Sequence, residues 1–412
     1  MLSREENELL TRVGPGTPMG KLMRRYWVPA LFSGQIEKPD CPPVRVKLLG
    51  EKLVAFRDTD GRPGLLDERC PHRTASMFFG RNEECGLRCV YHGWKFDVTG
   101  KCVDLPSEPP GSNFQDKVSI RAYPCHEAAG IVWTYMGPPE LRPEFPEFEW
   151  TQVPQSHRYA SRHIERCNWL QALEGGFDTS HLAFLHRGAT QAPRSVPSRY
   201  DVIPKEFGFV VGTGRDAGEG ETLWTANVMA MPFHKIIATD PYGAHCWVPM
   251  DDENTMLYSV DYRPDRPLTD DDLALSRNFE HIHAETIPGT DLPVENAAND
   301  YRIDRAAQAA GPSFSGMRGL AVQDRAVQES MGPVADRTIE HLGVSDTAII
   351  RIRQLLLKAV RDLEDGKEPP GMKGASYRVR SARFAAPDEA AFADIVDERV
   401  TLDAAPVMEA RL

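Results

Sequence analysis

Two short stretches concentrate residues that hold metals: Cys70-Pro71-His72 and, sixteen residues further on, Cys89-Val90-Tyr91-His92. Each offers one thiolate and one imidazole. That interleaving suits a two-iron two-sulfur cluster in which two Cys bind one iron and two His the other. A four-Cys cluster is excluded by the ligand count. The competing reading is a structural zinc ion, since Cys₂His₂ is also a tetrahedral zinc set. A zinc finger, however, groups Cys with Cys and His with His on a ββα unit, and that grouping is absent here. The flanks favour the cluster: Gly80 and Gly86 let the backbone approach the sulfides, and Gly93-Trp94 allow a tight return followed by a shielding aromatic.

A second constellation lies within Arg166 to His186 as Asp178-x₂-His181-x₄-His186. Two imidazoles and a carboxylate can form the facial triad that holds non-haem iron(II) and leaves positions open for dioxygen. Asp178 and His181 share a helical face, but residues five apart lie about 140° around an ideal helix. His181 and His186 reach one metal only where the helix ends or loosens between them, as in a π-bulge or an unwound turn. On spacing alone, a satisfied core cluster among Leu, Phe and Trp stays open as the alternative. A location downstream of the two Cys-His loops favours iron.

The elements that must position these residues fall into two textures. Residues 1 to 30 read as a helical opening with Ser3 and Glu6 at capping-box spacing, broken by Gly14 to Gly20. Short alternating strands come next at Val44 to Leu48, Leu53 to Phe56 and Pro63 to Leu66, with Gly50-Glu51 and Asp60-Gly61 at hairpin positions. Strand-like Lys95-Phe96-Asp97 precedes the turn Thr99-Gly100, and Ile131 to Tyr135 is a later strand. These make a small antiparallel β domain, and Gly137 to Phe148 read as a linker. Beyond it, strands are expected at about 199–213, 222–239, 244–249 and 255–262, helices at Asp270 to His283 and Asp346 to Asp365, and a last strand at Ser376 to Phe384. Ile349, Ile352, Leu356, Val360 and Leu363 keep the spacing of one buried helical face. The fold class is α+β in two domains, 1–150 and 151–412, and 412 residues suffice for two cores.

Composition is that of a globular chain, with no apolar run long enough to span a membrane and an N-terminus too polar for a signal peptide, so a cytoplasmic location is expected. Eight cysteines without an export signal read as cluster ligands and free thiols, with Cys85 near the cluster loops. The formal charge of −12 argues against nucleic acid or an anionic membrane as partner.

Taken together, the two Cys-His loops with Gly93-Trp94, then Asn168-Trp169 and the Asp178, His181, His186 set, resemble the oxygenase component of the Rieske non-haem iron oxygenases. The stretch Met19 to Trp27 and the length resemble the phthalate-dioxygenase branch, which includes aromatic O-demethylases and is built from α-type subunits alone. The resemblance implies a Rieske domain joined to a helix-grip catalytic domain, and per subunit one Rieske cluster on Cys70, His72, Cys89 and His92 and one mononuclear Fe(II) on His181, His186 and a downstream carboxylate. Asp324, followed five residues later by Glu329, fits that last ligand, with Asp336 and Asp346 as runners-up. Asp178 takes the role of a catalytic bridge between His181 and His92 of the partner subunit, so a homotrimer or a hexamer of stacked trimers is implied. An NAD(P)H-dependent flavin or iron-sulfur reductase, or a ferredoxin, would supply electrons near Arg69, Arg73, Arg81, Arg88, Lys95 and Lys101.

The implied reaction consumes dioxygen to hydroxylate an aromatic acid, with phthalate-like ring dihydroxylation first and oxidative O-demethylation of a methoxylated aromatic acid as the alternative. Arg187, Arg215, His234 and Lys235 are candidate cations for the acid group, each more simply read as a surface charge. A Rieske electron carrier without oxygenase activity is the alternative from another class, and it needs nothing beyond about residue 150.

Overall fold

The described residues of the computed structural model, 1–109, 111–188, 195–311 and 313–402, fall into two units, each packed mainly on itself. The first comprises Gly14–Gly16 and Met23–Pro143, the second Met1–Val13, Thr17–Leu22 and Glu144–Leu412. The division departs from the expected one at the N-terminus. Helix α1 (Arg4–Thr11) carries the expected capping box, Ser3 Oγ accepting from the Glu6 N–H at 3.0 Å and Glu6 accepting from the Ser3 N–H at 3.2 Å. It belongs to the second unit because Leu10 is buried there, Asn7 donates to the Ala335 carbonyl (3.1 Å) and Arg337 donates to Asn7 (3.1 Å). Helix is also not the sole content of residues 1 to 30: Pro18–Met23 is a second short helix, and Trp27–Phe32 is a buried strand.

The first unit is built from antiparallel strands. Strand β1 (Trp27–Phe32) pairs with β11 (Ile131–Tyr135), which pairs with β10 (Cys125–Ala128); the register slips beside Pro29, which has no N–H to contribute. Strands β2 (Val44–Leu48), β3 (Glu51–Arg57), β4 (Pro63–Asp67) and β9 (Ala122–Tyr123) form a second sheet. The β2–β3 turn places Leu49 and Gly50 at φ 46° and 81°, the twist that closes a two-residue hairpin. The third sheet runs β5 (Arg81–Glu83), β6 (Gly86–Arg88), β7 (Lys95–Phe96) and β8 (Cys102–Asp104). The Cys70 and Cys89 loops leave β4 and β6, and the core packs Val54, Phe56, Leu66, Met77, Leu87 and Phe96 with both cysteines.

In the second unit one antiparallel sheet takes the order β12, β18, β17, β16, β15, β14, β13, with β19 also on β15. Two expected strands divide into hairpins: 199–213 becomes β13 (Arg199–Lys205) and β14 (Gly208–Gly218), and 222–239 becomes β15 (Glu221–Ala230) and β16 (His234–Ile237). Strands β17 (Tyr242–Pro249) and β18 (Thr255–Tyr262) match expectation, and β12 is Arg158–Glu165. The last strand, β19, is Ala382–Pro387 rather than Ser376 to Phe384, because Gly374–Tyr377 forms a 3-10 turn that buries Tyr377. The helix expected to His283 stops at Arg277, where Asn278 caps it.

Three helices serve the site: α2 (Trp169–Phe177), α3 (Leu320–Ser330) and α4 (Thr347–Glu364), the last burying Ile349, Ile352, Leu356 and Val360 as its spacing predicts, while Leu363, expected on the same face, is only half-buried. Glu174 of α2 accepts from Arg337 (2.9 Å) and from Arg353 of α4 (2.6 Å). Burial alone would raise its pKa, but the two guanidinium groups outweigh that and hold it below the usual carboxylate range. None of the eight cysteines is in a disulfide, and among the described residues no helix is long and apolar enough to cross a membrane.

Candidate metal centres

The two Cys-His loops adopt the same turn. The Cys70 N–H donates to the Ala75 carbonyl (2.9 Å) and the Thr74 N–H to the Cys70 carbonyl (2.9 Å). In the second loop the Cys89 N–H donates to the Trp94 carbonyl (2.8 Å) and the Gly93 N–H to the Cys89 carbonyl (2.9 Å). The residue four past each cysteine is left-handed, Thr74 at φ 61° and Gly93 at φ 79°. At Gly93 a side chain would also strike the Pro106 ring at 2.6 Å, so glycine is required.

Both cysteines are buried, while His72 is exposed and His92 half-exposed, their rings 4.5 Å apart. Trp94 stacks on His72 at 4.3 Å and 11°, its indole N–H bonded to Ser107 Oγ (3.0 Å), which is the shielding the sequence suggests. Gly80 and Gly86 act differently from expectation. A Cβ at Gly80 would meet the Met77 carbonyl at 2.7 Å and one at Gly86 the Phe96 carbonyl at 2.9 Å, so these glycines admit neighbouring backbone rather than sulfides. Burial pushes the Cys70 thiol up to about 11, against the His72 and Arg73 amides aimed at its sulfur. Such a thiol gives up its proton to a metal.

Among the described residues, donor sets compact enough for one ion are His181, His186 and Asp324, and Asp58, Asp60 and Cys85. The four cluster residues supply no such set. Asp58 is already taken up by Arg62, whose backbone N–H and guanidinium both donate to it at 2.8 Å.

The iron triad is assembled by the end of a helix. Asn168 caps α2, its side chain accepting from the Leu170 N–H (3.1 Å), and α2 stops at Phe177 because Asp178 is extended. The Asp178 carboxylate then accepts from the Ser180 N–H (2.7 Å), and His181–Ala183 make a 3-10 turn. The helix therefore ends ahead of His181, and no π-bulge is needed to turn His181 and His186 together: their Nε2 atoms lie 3.2 Å apart. Asp324, on α3, places Oδ1 3.1 Å from His186 Nε2 and 3.5 Å from His181 Nε2. A Cβ on Gly175 would collide with the Gln328 amide and one on Gly176 with the Trp247 ring. Those glycines let α3 and β17 approach α2 closely enough for Asp324 to arrive. Asp336 and Asp346 lie elsewhere, accepting from Thr338 (2.9 Å) and Gly343 (2.7 Å) in their own loops.

Two further contacts orient the imidazoles. His186 Nδ1–H donates to Gln323 Oε1 at 2.6 Å, and His181 Nδ1 lies 3.5 Å from Asp178 Oδ2, so both rings turn Nε2 toward the common point. Burial would raise the pKa of Asp324, yet His186 and His181 outweigh it and keep the carboxylate ionised. Gln323 was not legible as a site residue; its place beside Asp324 is the sole signal. Nor was the buried trio of His163, Glu165 and Arg325: neither His163 ring nitrogen makes a hydrogen bond among the described residues, its Nε2 lying 3.7 Å from Glu165 Oε1, Glu165 is pushed up to about 8 by burial, and Arg325 is fully buried.

The candidate cations separate. Arg187 is exposed, its Nε donating to the Ala183 carbonyl (3.1 Å), and Arg215 donates to the Ser195 carbonyl (3.0 Å). His234 and Lys235 are not surface charges. His234 is buried, 2.9 Å from Cys246 Sγ, and burial holds its pKa down to about 3. Lys235, on the opposite face of β16, donates to the Gly176 carbonyl and lies over the Phe177 ring. Burial brings it down to about 8, with Asp324 and Asp178 opposing the fall.

Around the cluster loops the basic excess is smaller than composition suggests. Arg88 is tied to Glu83 (2.8 Å) and Asp104 (2.7 Å), and Lys95 to Glu84 (3.0 Å). Arg69, Arg73, Arg81 and Lys101 remain exposed, Arg81 in a pair with Glu83 (2.7 Å) and Arg73 with its guanidinium 5.4 Å from the Tyr91 ring.

Comparison with known proteins accounts for both units. Residues 26–124 match the Rieske [2Fe-2S] domain, and residues 134–199 and 222–398 match the LigXa C-terminal domain like family. The 3-chlorobenzoate-3,4-dioxygenase oxygenase subunit of Comamonas testosteroni is 40% identical over 97% of this chain and 99% of that protein. The phthalate 4,5-dioxygenase oxygenase subunit of Pseudomonas putida is 37% identical over 94% and 92%. The 5,5'-dehydrodivanillate O-demethylase oxygenase subunit of a Sphingobium species is 34% identical over 90% and 83%. In fold, dicamba monooxygenase bound to dicamba superposes with a TM-score of 0.60 at 19% identity, covering 84% of this chain and 99% of that one. A bare electron carrier has no use for the second unit, and that reading falls. Buried cysteines and outward histidines suit a two-iron cluster, and two imidazoles with one carboxylate suit a mononuclear iron. With relatives along its whole length that are oxygenase subunits, the chain belongs to the Rieske non-haem iron oxygenases, as an oxygenase component with a Rieske cluster and a mononuclear iron that draws electrons from a separate protein.

Proposed function

We propose that the protein hydroxylates the ring of an aromatic carboxylate, in the manner that the names of its 3-chlorobenzoate and phthalate relatives describe. The observation that carries the proposal is the convergence of His181, His186 and Asp324 on one point. Iron bound there supplies the dioxygen chemistry that closed-shell organic molecules lack. The chain's own residues hold and orient it. His181 and His186 present Nε2, Asp324 presents Oδ1, and Gln323 fixes the His186 tautomer. In the first unit Cys70, Cys89, His72 and His92 would hold the cluster.

Asp178 is the bridging carboxylate in this reading. It accepts from the His181 side, and about a third of its side chain is open to solvent, which leaves room for a second imidazole, that of His92 of the partner subunit. A ring in which each copy lends its cluster to the next makes a homotrimer, or two stacked trimers, the working unit.

The second reading is oxidative O-demethylation of a methoxylated aromatic acid, favoured by the full-length likeness to a dehydrodivanillate O-demethylase subunit. A panel of phthalates, benzoates and methoxybenzoates, assayed with a surrogate reductase for oxygen uptake, formaldehyde and peroxide together, separates the two. A ring diol without formaldehyde is expected. Formaldehyde in proportion to oxygen consumed establishes demethylation instead, and oxygen uptake that no aromatic acid stimulates overturns the substrate class.

The electron donor is an acidic flavin-containing reductase or a ferredoxin that docks on Arg69, Arg73 and Lys101. Arg73→Glu should slow cluster reduction by about 3- to 10-fold at low salt, with the deficit shrinking as ionic strength rises. Stopped-flow reduction rates that are insensitive to both salt and this reversal would remove the docking face.

A further inference from the structure

The sheet beneath α2 carries a cation with no counter-ion among the described residues. Ser161, Ser259, His245 and Lys235 are register partners across β12, β18, β17 and β16, and therefore line one face. This is the face on which α2 lies, since Lys235 Nζ reaches the Gly176 carbonyl and Trp247, two residues past His245, packs against Gly176. Among the described residues no carboxylate is within ion-pair distance of the Lys235 ammonium; its contacts are that carbonyl and the Phe177 ring, 5.3 Å away. An ammonium has three N–H donors, so one carbonyl leaves it underused. His245, its cross-strand neighbour, is kept neutral by burial and offers no charge.

The nearest acids are already committed. Asp324 and Asp178 both favour the charged lysine electrostatically, but neither lies within ion-pair distance of it, and an iron(II) ion held by Asp324 would more than offset that carboxylate's charge. With the metal in place, the Lys235 charge is the one left over. A partly buried ammonium in that position is costly unless an anion meets it.

We propose that Lys235 is the residue that binds the carboxylate of the substrate. The assignment rests on the aromatic-acid reading above and adds to it the group that selects an acid over a neutral arene. A pocket that pairs one ammonium with one carboxylate rejects the uncharged analogue, because the lysine is then left without a partner.

Isothermal titration calorimetry on the iron-loaded, anaerobic protein tests this with 3-chlorobenzoate and its near-isosteric amide, 3-chlorobenzamide. Lys235→Met should weaken the acid by about 30-fold and shift the amide by less than about 3-fold, while Lys235→Arg should keep the acid within about 5-fold of wild type. The visible spectrum of the cluster and the iron content report whether each variant is intact. Equal losses for acid and amide, or an acid affinity unchanged in Lys235→Met, overturn the assignment and leave the aromatic-acid reading standing. If the wild-type protein binds neither benzoates nor phthalates, that reading fails and Lys235 loses the role with it.

Discussion

Asp178→Asn is expected to reduce turnover by about 100-fold or more while both metal sites stay loaded. The substitution keeps shape and removes a charge. Asp178 can accept through both oxygens, one from the Ser180 N–H at 2.7 Å and one facing His181 Nδ1 at 3.5 Å. In the asparagine, one of these positions becomes an NH₂ donor. If the oxygen keeps the Ser180 amide, two donors face each other at His181, and its preferred tautomer and its link to a second imidazole are lost together. Iron analysis combined with single-turnover oxidation of the reduced cluster distinguishes this from loss of a ligand. Departure of the mononuclear iron would instead make Asp178 a primary ligand.

A larger effect is expected from Asp324→Ala. Removing the carboxylate leaves two imidazoles 3.2 Å apart with no anion between them, too few donors to retain iron(II). Iron should fall from about three to about two atoms per chain, labile sulfide should stay near two, and turnover should vanish with the cluster spectrum unchanged. Asp336→Ala is the control, because Asp336 spends its carboxylate on Thr338. Retention of all the iron in Asp324→Ala would remove it from the centre.

What could be read before any coordinates were the features that act locally. The Ser3–Glu6 capping box and the β2–β3 hairpin depend on residues a few positions apart; the box occurs where the pattern put it, while the turn is Leu49-Gly50, one residue ahead of the expected Gly50-Glu51, and β3 is buried on both faces from Leu53 to Arg57 rather than alternating. The spacing required a break between His181 and His186, with Asp178 and His181 on one helical face; the helix instead ends earlier, at Phe177, so that Asp178 is already extended. Features settled by distant packing were illegible. Trp27–Phe32 is apolar throughout and contains a proline, so it showed no strand period, and its identity comes from pairing with Ile131–Tyr135. Gln323, Glu165 and Arg325 carry no motif, and their relation to the iron donors exists only once α3 lies beside α2. Lys235 and His234 are adjacent in sequence yet point to opposite faces of β16, and a strand's alternation gives no indication which face is covered.

The pairing of α1 with residues far along the chain sets an order of events during synthesis. Thr11 accepts from Asn168 and Arg12 pairs with Asp252, but Asn7 bonds to Ala335 and Arg337 and Glu6 lies 3.3 Å from Arg361, so the docking of α1 cannot be completed until some 330 further residues have emerged. At about 5–20 residues per second that is a wait of roughly half a minute. The Cys-His loops, complete by His92, suffer no such delay and can fold with their own strands first. α1 is therefore held by only part of its final contacts while much of the catalytic unit is still being made, and the unit is closed by joining α1 to Ala335, Arg337 and Arg361.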